Sequence, residues 1–232
     1  YKTAEETGQK LFITQTTRFS PTSWAAKEFI DNGDLGEIYY VETSAMRRRG
    51  IPKWGMFHMK EHNTGGPVYD LGVHMVDLLF WLMGNPKPVT VSAASYRKLW
   101  NQEFERRGIP FEVDELSSAM VRFENGASAL FDVSWAANQD NEINVRIFGT
   151  EAGFQVYPPI VFSEPRWGEL HSGKVEIKEI EAGLTPRRHF VDCIRDPEKE
   201  MIASGQECLT VMAVLDAVQR SAASGEEVEV DL

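Results

Sequence analysis

Apolar residues recur along this chain with two periods, and the changes of period mark its elements. In "SPTSWAAKEFIDNGDLG" Ser20 and Pro21 open a helix that carries Trp24, Ala25, Phe29 and Ile30 at helical spacing and stops at Asn32-Gly33. A second helix is predicted over 67–83, closed by Gly84 and Pro86, and two more over 186–195 and 206–224. Strand patterns fall at 11–17 and 37–45, then in "VTVSAASY", "ELSSAMVRFE", "ASALFDVSWAA", "EINVRIFGT", "GFQVY", "KVEIKEIE" and the final "EVEVDL". Ser118, Met120 and Arg122 alternate with Ala119, Val121 and Phe123, and Glu124-Asn125-Gly126 supplies a turn. Strands joined by such short turns pair antiparallel. The simplest arrangement is an α+β fold, one large and mostly antiparallel open sheet with helices on one side. No linker or internal repeat interrupts it.

The helix over 67–83 raises the chemical question. Asp70, His74, Asp77 and Trp81 fall along one face, while Leu71, Val73, Met75, Val76, Leu78, Leu79, Phe80 and Leu82 cover the rest. A helix so apolar is buried, and an unpaired polar group there costs about 1–3 kcal/mol, so these groups need partners or a polar cavity. Asp70 and His74 stand one turn apart, where a carboxylate can hydrogen-bond an imidazole or share a ligand with it. The bland alternative is a carboxylate at a helix N-terminus above a satisfied core histidine. Gly65-Gly66 shifts the balance toward a site, because two glycines let a ligand or another chain segment approach the backbone. Asp77 reads as structural.

The segment 46–66 is long for an irregular connection and so is expected to have a function. Its "RRRGIPKWG" is either a solvated basic patch or a loop in which Arg49 and Trp54, with Phe57, grip a small polar ligand. His58 and His62 could join His74 and Asp70 around a metal ion, but no H-E-x-x-H or H-x-H occurs, and no metal is expected. Cys193 and Cys208 read as small buried hydrophobes.

Composition narrows the partners. The formal charge is -11, from 24 basic and 35 acidic residues, which argues against nucleic acid or an anionic membrane as the partner. No apolar run reaches the ~18 residues of a membrane span. A cytoplasmic location is the expectation. "RIFGTEAGFQVY" is a tight turn between strands rather than a phosphate loop, and neither G-x-G-x-x-G nor a P-loop motif occurs.

"TRFSP", "AKEFIDNGDLGEIYYVE", "GGPVYDLGVHMVDLLFWLMGNP", "FGTEAG" and "SGQECLTVMAVLDAVQRSAASGEEVEV" resemble, in this order, the signature segments of the Gfo/Idh/MocA oxidoreductases, named for glucose-fructose oxidoreductase and inositol dehydrogenase. The resemblance implies a C-terminal substrate-binding and oligomerisation domain over 18–232, with 1–17 as the last helix and strand of an N-terminal Rossmann domain. It implies an NAD(P)-dependent oxidation of a hydroxyl on a sugar, inositol or related polyol, with His74 as the base and Asp70 as its substrate-side partner. It also implies substrate contacts from Arg18, Arg49, Trp54, Gly65 and Gly66, cofactor contacts no closer than Arg18 and Phe19, and a homo-oligomer, dimer or tetramer, built through the sheet. The family's Glu-Lys-Pro lysine and its glycine-rich fingerprint are absent from this chain, so NAD or NADP is expected on the missing N-terminal domain and the chain alone is expected to be inactive. The alternative is a non-catalytic dimerisation or ligand-binding module.

Overall fold

The computed structural model describes residues 1–52, 54–63, 65–177 and 185–232. Nine strands form a single sheet: β1 Ile38–Met46, β2 Pro88–Tyr96, β3 Leu116–Phe123, β4 Ser128–Ser134, β5 Glu142–Gly149, β6 Ala152–Gln155, β7 Ile160–Arg166, β8 Glu169–Lys174 and β9 Val228–Glu229. Their order is β8-β7-β6-β5-β1-β4-β3-β2-β9. All neighbours are antiparallel except β1 and β4, which run parallel in a register that sets Met46 beside Ser134. Alternation does the work expected of it. Val41, Ala45, Ala129, Phe131, Val133, Val121 and Ile147 all point to the covered face and are buried.

The helices are α1 Lys2–Thr7, α2 Pro21–Asp31, α3 Val73–Leu82, α4 Trp100–Arg106, α5 Pro186–Arg195 and α6 Gly205–Ser224. α3 and α6 lie on the covered face and share one core with the sheet, in which Leu78, Leu79, Leu82, Val214, Leu215 and Val218 are fully buried. Burying each such side chain contributes roughly 1.5–3 kcal/mol. Local chemistry sets the ends. Ser20 caps α2 ahead of Pro21, Thr185 caps α5 ahead of Pro186, and Ser204 with Glu207 forms a full capping box on α6. None of the described helices is long and apolar enough to cross a membrane.

Four expectations change. Residues 11–17 form no strand. Among the described residues no strand pairs with them, and Phe12 stacks instead on Phe190 of α5 while the chain tightens into a 3-10 turn over Thr16–Phe19. The first turn of the helix predicted over 67–83 is a π-helix, Val68–Gly72, ahead of the regular α3. A hairpin, β7 and β8, occupies 160–174 where no strand was expected, and of the strand expected over "KVEIKEIE" Lys174 ends β8, 175–177 are irregular and 178–181 fall outside the described residues. Finally, α4 is unpredicted because its start is made by a distant side chain. The buried Glu115 carboxylate accepts the backbone N–H groups of Lys98 (2.6 Å), Leu99 and Trp100 (2.5 Å), which satisfies both the carboxylate oxygens and the orphan donors of that turn.

Both cysteines are free and buried, and burial pushes the Cys208 thiol up to about 11. Cys193 lies against His189, whose Nε2 accepts the Ile202 backbone N–H at 3.0 Å. Burial, aided by the Lys199 charge, lowers the pKa of that imidazole and keeps it neutral.

Candidate active site

The parallel pair β1 and β4 delivers two side chains to one place. β1 ends at Met46 and β4 at Ser134, side by side, so the next residues, Arg47 and Trp135, emerge together from the carboxyl ends of the pair. Irregular backbone hydrogen bonds lock the exit: Arg47 N–H donates to Ser134 O (2.8 Å), Gly50 N–H to Trp135 O (2.7 Å) and Ala137 N–H to Arg47 O (3.0 Å). Carboxyl ends of parallel strands are where open sheets present functional groups.

Both residues meet Asp70. The indole Nε1–H of Trp135, which is fully buried, donates to Asp70 Oδ2 at 2.8 Å, and Arg47 Nη1 stands 3.5 Å from the same oxygen. Among the described residues these are the groups that hold the Asp70 carboxylate, and no hydrogen bond joins it to His74. Asp70 stands in the widened π-turn and His74 in the first regular turn after it. Such a π-turn re-aims side chains and recurs at functional sites. Asp70 keeps 21% of its side chain open to solvent, and His74 is half-buried. His74 Nδ1 is buried without a partner, which leaves Nε2 as the ring nitrogen that a ligand can reach.

Lower on the same helix face, the first segment of the chain fills the space. Arg18 and Asp77 are both fully buried and form a two-point pair, Nε to Oδ2 at 2.8 Å and Nη2 to Oδ1 at 2.7 Å. Arg18 Nη1 also reaches Glu207 Oε2 (2.9 Å) and the Ile202 carbonyl (2.6 Å). Burial disfavours its charge, and the carboxylates of Asp77 and Glu207 outweigh that, so its pKa lies above the ordinary arginine value. Below them Trp24 meets Trp81 edge to face at 5.3 Å. The polar stripe therefore divides: Asp77 and Trp81 are packed away, and Asp70 and His74 remain open.

The other sequence-derived candidates fall into two groups. Trp54 does not touch Asp70 but is linked to it through Phe57 and Trp135. It is 72% exposed and edge-on to Phe57, which is edge-on to Trp135. The others do not join Asp70. Arg18 is fully buried with its fork engaged inside the chain, so no face is left for a substrate. Arg49 turns to Ala137 O (3.2 Å) and Asn138 Oδ1 (2.9 Å), and the arginine at Asp70 is Arg47. Gly65 and Gly66 make room for the chain itself. A Cβ on Gly65 would overlap the Tyr69 ring, and one on Gly66, at φ 55°, would overlap the Asp114 carbonyl. Phe19 is buried among Phe12 and His189. His58 packs on Phe104, and among the described residues no group of three or more His, Cys, Asp or Glu is placed to hold a metal ion.

Sequence reasoning missed Arg47, Trp135 and Glu115. Arg47 is part of the tri-arginine run but carries no local mark separating it from Arg48 and Arg49. Trp135 and Glu115 act through tertiary contacts with segments far away in sequence.

The site thus sets the Asp70 carboxylate against Trp135 and Arg47, where β1 and β4 end, with His74 one turn further along the same helix. Residues 24–155 match the GFO/IDH/MocA C-terminal domain, and the chain belongs to that family. It is 28% identical to D-glucoside 3-dehydrogenase of Escherichia coli K12 over 234 aligned residues, which cover 98% of this chain and 66% of the relative. Its fold is that of an oxidoreductase domain protein from Kribbella flavida, with a TM-score of 0.81 at 18% identity, covering all of this chain and 68% of that one. An aldose-aldose oxidoreductase from Caulobacter crescentus, complexed with glycerol, aligns with a TM-score of 0.79 at 21% identity, covering 98% of this chain and 66% of that one. The chain thus spans about two thirds of the length of these relatives.

Proposed function

We propose that this chain is the substrate-binding part of an NAD(P)-dependent dehydrogenase that oxidises a hydroxyl of a sugar, inositol or related polyol. The observation that carries the reading is the open Asp70–His74 pair, with Asp70 held by Trp135 and Arg47 rather than by the histidine. An Asp70 oxygen free of His74 can accept a hydrogen bond from one substrate hydroxyl while His74 attends to its neighbour. His74 Nε2 takes the proton of the reacting hydroxyl as that carbon becomes a carbonyl, a role that suits an imidazole near neutral pH. The nicotinamide, when bound, supplies the acceptor for the hydride that leaves the same carbon. Arg47 and Trp135 fix the carboxylate, so its position does not depend on the substrate.

The residues of this chain fit the substrate side of such a reaction and not the dinucleotide itself, since no glycine-rich phosphate loop occurs in the sequence. The reading assigns cofactor binding to a further part of the protein, in keeping with relatives half as long again as the matched region. By itself the chain is expected to turn nothing over. The experiment is a panel of glucosides, free aldoses and inositols offered to the full-length protein with NAD+ and with NADP+. At least one should yield reduced nicotinamide and keto-product in equal amounts. Failure of the whole panel with both cofactors would reject the reading.

We further assign the uncovered sheet face to a contact with a second copy of the chain. That face carries Tyr40 against Phe148, Leu130 and Met120 around the Glu42–Arg146 ion pair, a mixture suited to a two-fold, self-complementary interface. Sedimentation at micromolar concentration should show a species of twice the 26.2 kDa chain mass or a multiple of that. A monomer alone would reject it.

A further inference from the structure

We propose that Trp54 forms a second ring-binding subsite beside Asp70, so that the substrate is a glycoside carrying a ring on its far side, an aryl group or a second sugar, rather than a free monosaccharide. This inference rests on the sugar-oxidising reading and narrows its substrate class.

Exposure alone does not carry it. Trp167, at the turn between β7 and β8, is 97% exposed and lies near none of the groups of the site. Trp54 differs because it ends a chain of rings that begins at the carboxylate. Trp135 donates to Asp70, Phe57 lies edge-on to Trp135 with centroids 6.2 Å apart at 75°, and Trp54 lies edge-on to Phe57 at 4.7 Å and 84°. Each ring fixes the tilt of the next by an edge-to-face contact. The inner members are held: Trp135 is fully buried, and Phe57 packs on the small cluster of Phe111, Val113 and Trp135. The outermost indole rests edge-on against this held base through Phe57, yet most of its surface is open. Met56, two residues on, adds a second exposed apolar side chain, 47% open.

An open aromatic surface of this kind suits the flat apolar face of a ring, and stacking there demands no hydrogen-bond pattern. Two rings, Trp135 and Phe57, stand between it and the Asp70 carboxylate, and among the described residues no contact joins it to Asp70 or His74. What reaches Trp54 is the next ring of the same ligand. Neither Arg47 nor Arg49 competes for that ring, the first being turned to Asp70 and Gly50 and the second to Ala137 and Asn138.

The test compares phenyl and methyl β-D-glucopyranoside with the full-length protein, wild type against Trp54→Ala and Trp54→Phe. In Trp54→Ala, kcat/KM for the phenyl glycoside should fall about 10-fold, equivalent to about 1.4 kcal/mol, and that for the methyl glycoside less than about twofold, with Trp54→Phe recovering most of the loss. Saturation-transfer NMR should show the phenyl protons as the most strongly saturated group in the wild type and not in Trp54→Ala. Equal losses for both glycosides, or no loss for either, would overturn the subsite. Turnover of both glycosides without phenyl saturation would also overturn it and leave the dehydrogenase reading standing. Phenyl saturation that depends on Trp54 in a protein that oxidises neither glycoside would support the subsite and count against the reaction.

Discussion

Replacing His74 by alanine is expected to lower kcat of the full-length protein by about 10²–10⁴-fold, the usual worth of a positioned general base, while the protein stays folded. The fold prediction follows from the packing. His74 is half-buried, its Nδ1 makes no hydrogen bond, and Thr17 contacts the backbone carbonyl of residue 74 rather than the ring. Among the described residues, removing the imidazole therefore breaks no hydrogen bond and removes a buried polar atom that has no partner. Leu78, Leu79 and Leu82, which anchor α3 in the core, are untouched. The expected signature is a loss in kcat with an unchanged thermal midpoint. A variant that turns over within about threefold of wild type would remove His74 from the chemistry.

Arg18→Ala should do the reverse, with its main effect on stability. The substitution leaves Asp77 buried with no cation and strips Glu207 of one of its contacts. Breaking a buried pair by removing one partner costs about 3–5 kcal/mol. At about 2–4 °C per kcal/mol for a chain of this size, the thermal midpoint should fall by roughly 10 °C. The reason is topological. Arg18 joins the 3-10 turn at Thr16–Phe19 to α3 through Asp77, to α6 through Glu207 and to the Ile202 carbonyl, so three distant segments lose a shared anchor. Asp77→Asn, which keeps a hydrogen-bond acceptor for the fork, should cost less. Thermal and urea unfolding followed by circular dichroism would decide. A loss under about 1 kcal/mol would mean that water reaches Asp77 and that the pair is not the anchor described.

How far the molecule could be read before its structure depended on how local each signal was. The 67–83 helix was legible because its apolar residues cover most of a cylinder, and the open sheet because alternation and short turns are local. Asp77 was rightly read as structural, since a third polar group deep in so apolar a helix needs a fixed partner. That Arg18 is this partner was beyond the sequence, because 59 residues separate them. The same holds for Glu115, which starts α4 from a position after it in the chain, and for Trp135, which reaches Asp70 only because β1 and β4 run parallel with Met46 beside Ser134. The glycines show the converse. Gly65 and Gly66 do signal a close approach, but what approaches is Tyr69 and the Asp114 backbone. The arginine run does not reveal which member stands beside Asp70, because three identical neighbours differ only in where the exit from β1 points them.

Fate of a label is the most direct test of the central claim, that the Asp70–His74 face holds a hydroxyl-bearing carbon whose hydrogen leaves as hydride. A substrate from the panel, deuterated at its carbinol carbons, is incubated with the full-length protein and oxidised nicotinamide cofactor, and the reduced cofactor is analysed by mass and NMR. The account predicts one deuterium on the nicotinamide ring for each keto-product formed, at a rate that collapses in His74→Ala. Keto-product with the deuterium released to water, or labelled nicotinamide formed equally fast without His74, would contradict it.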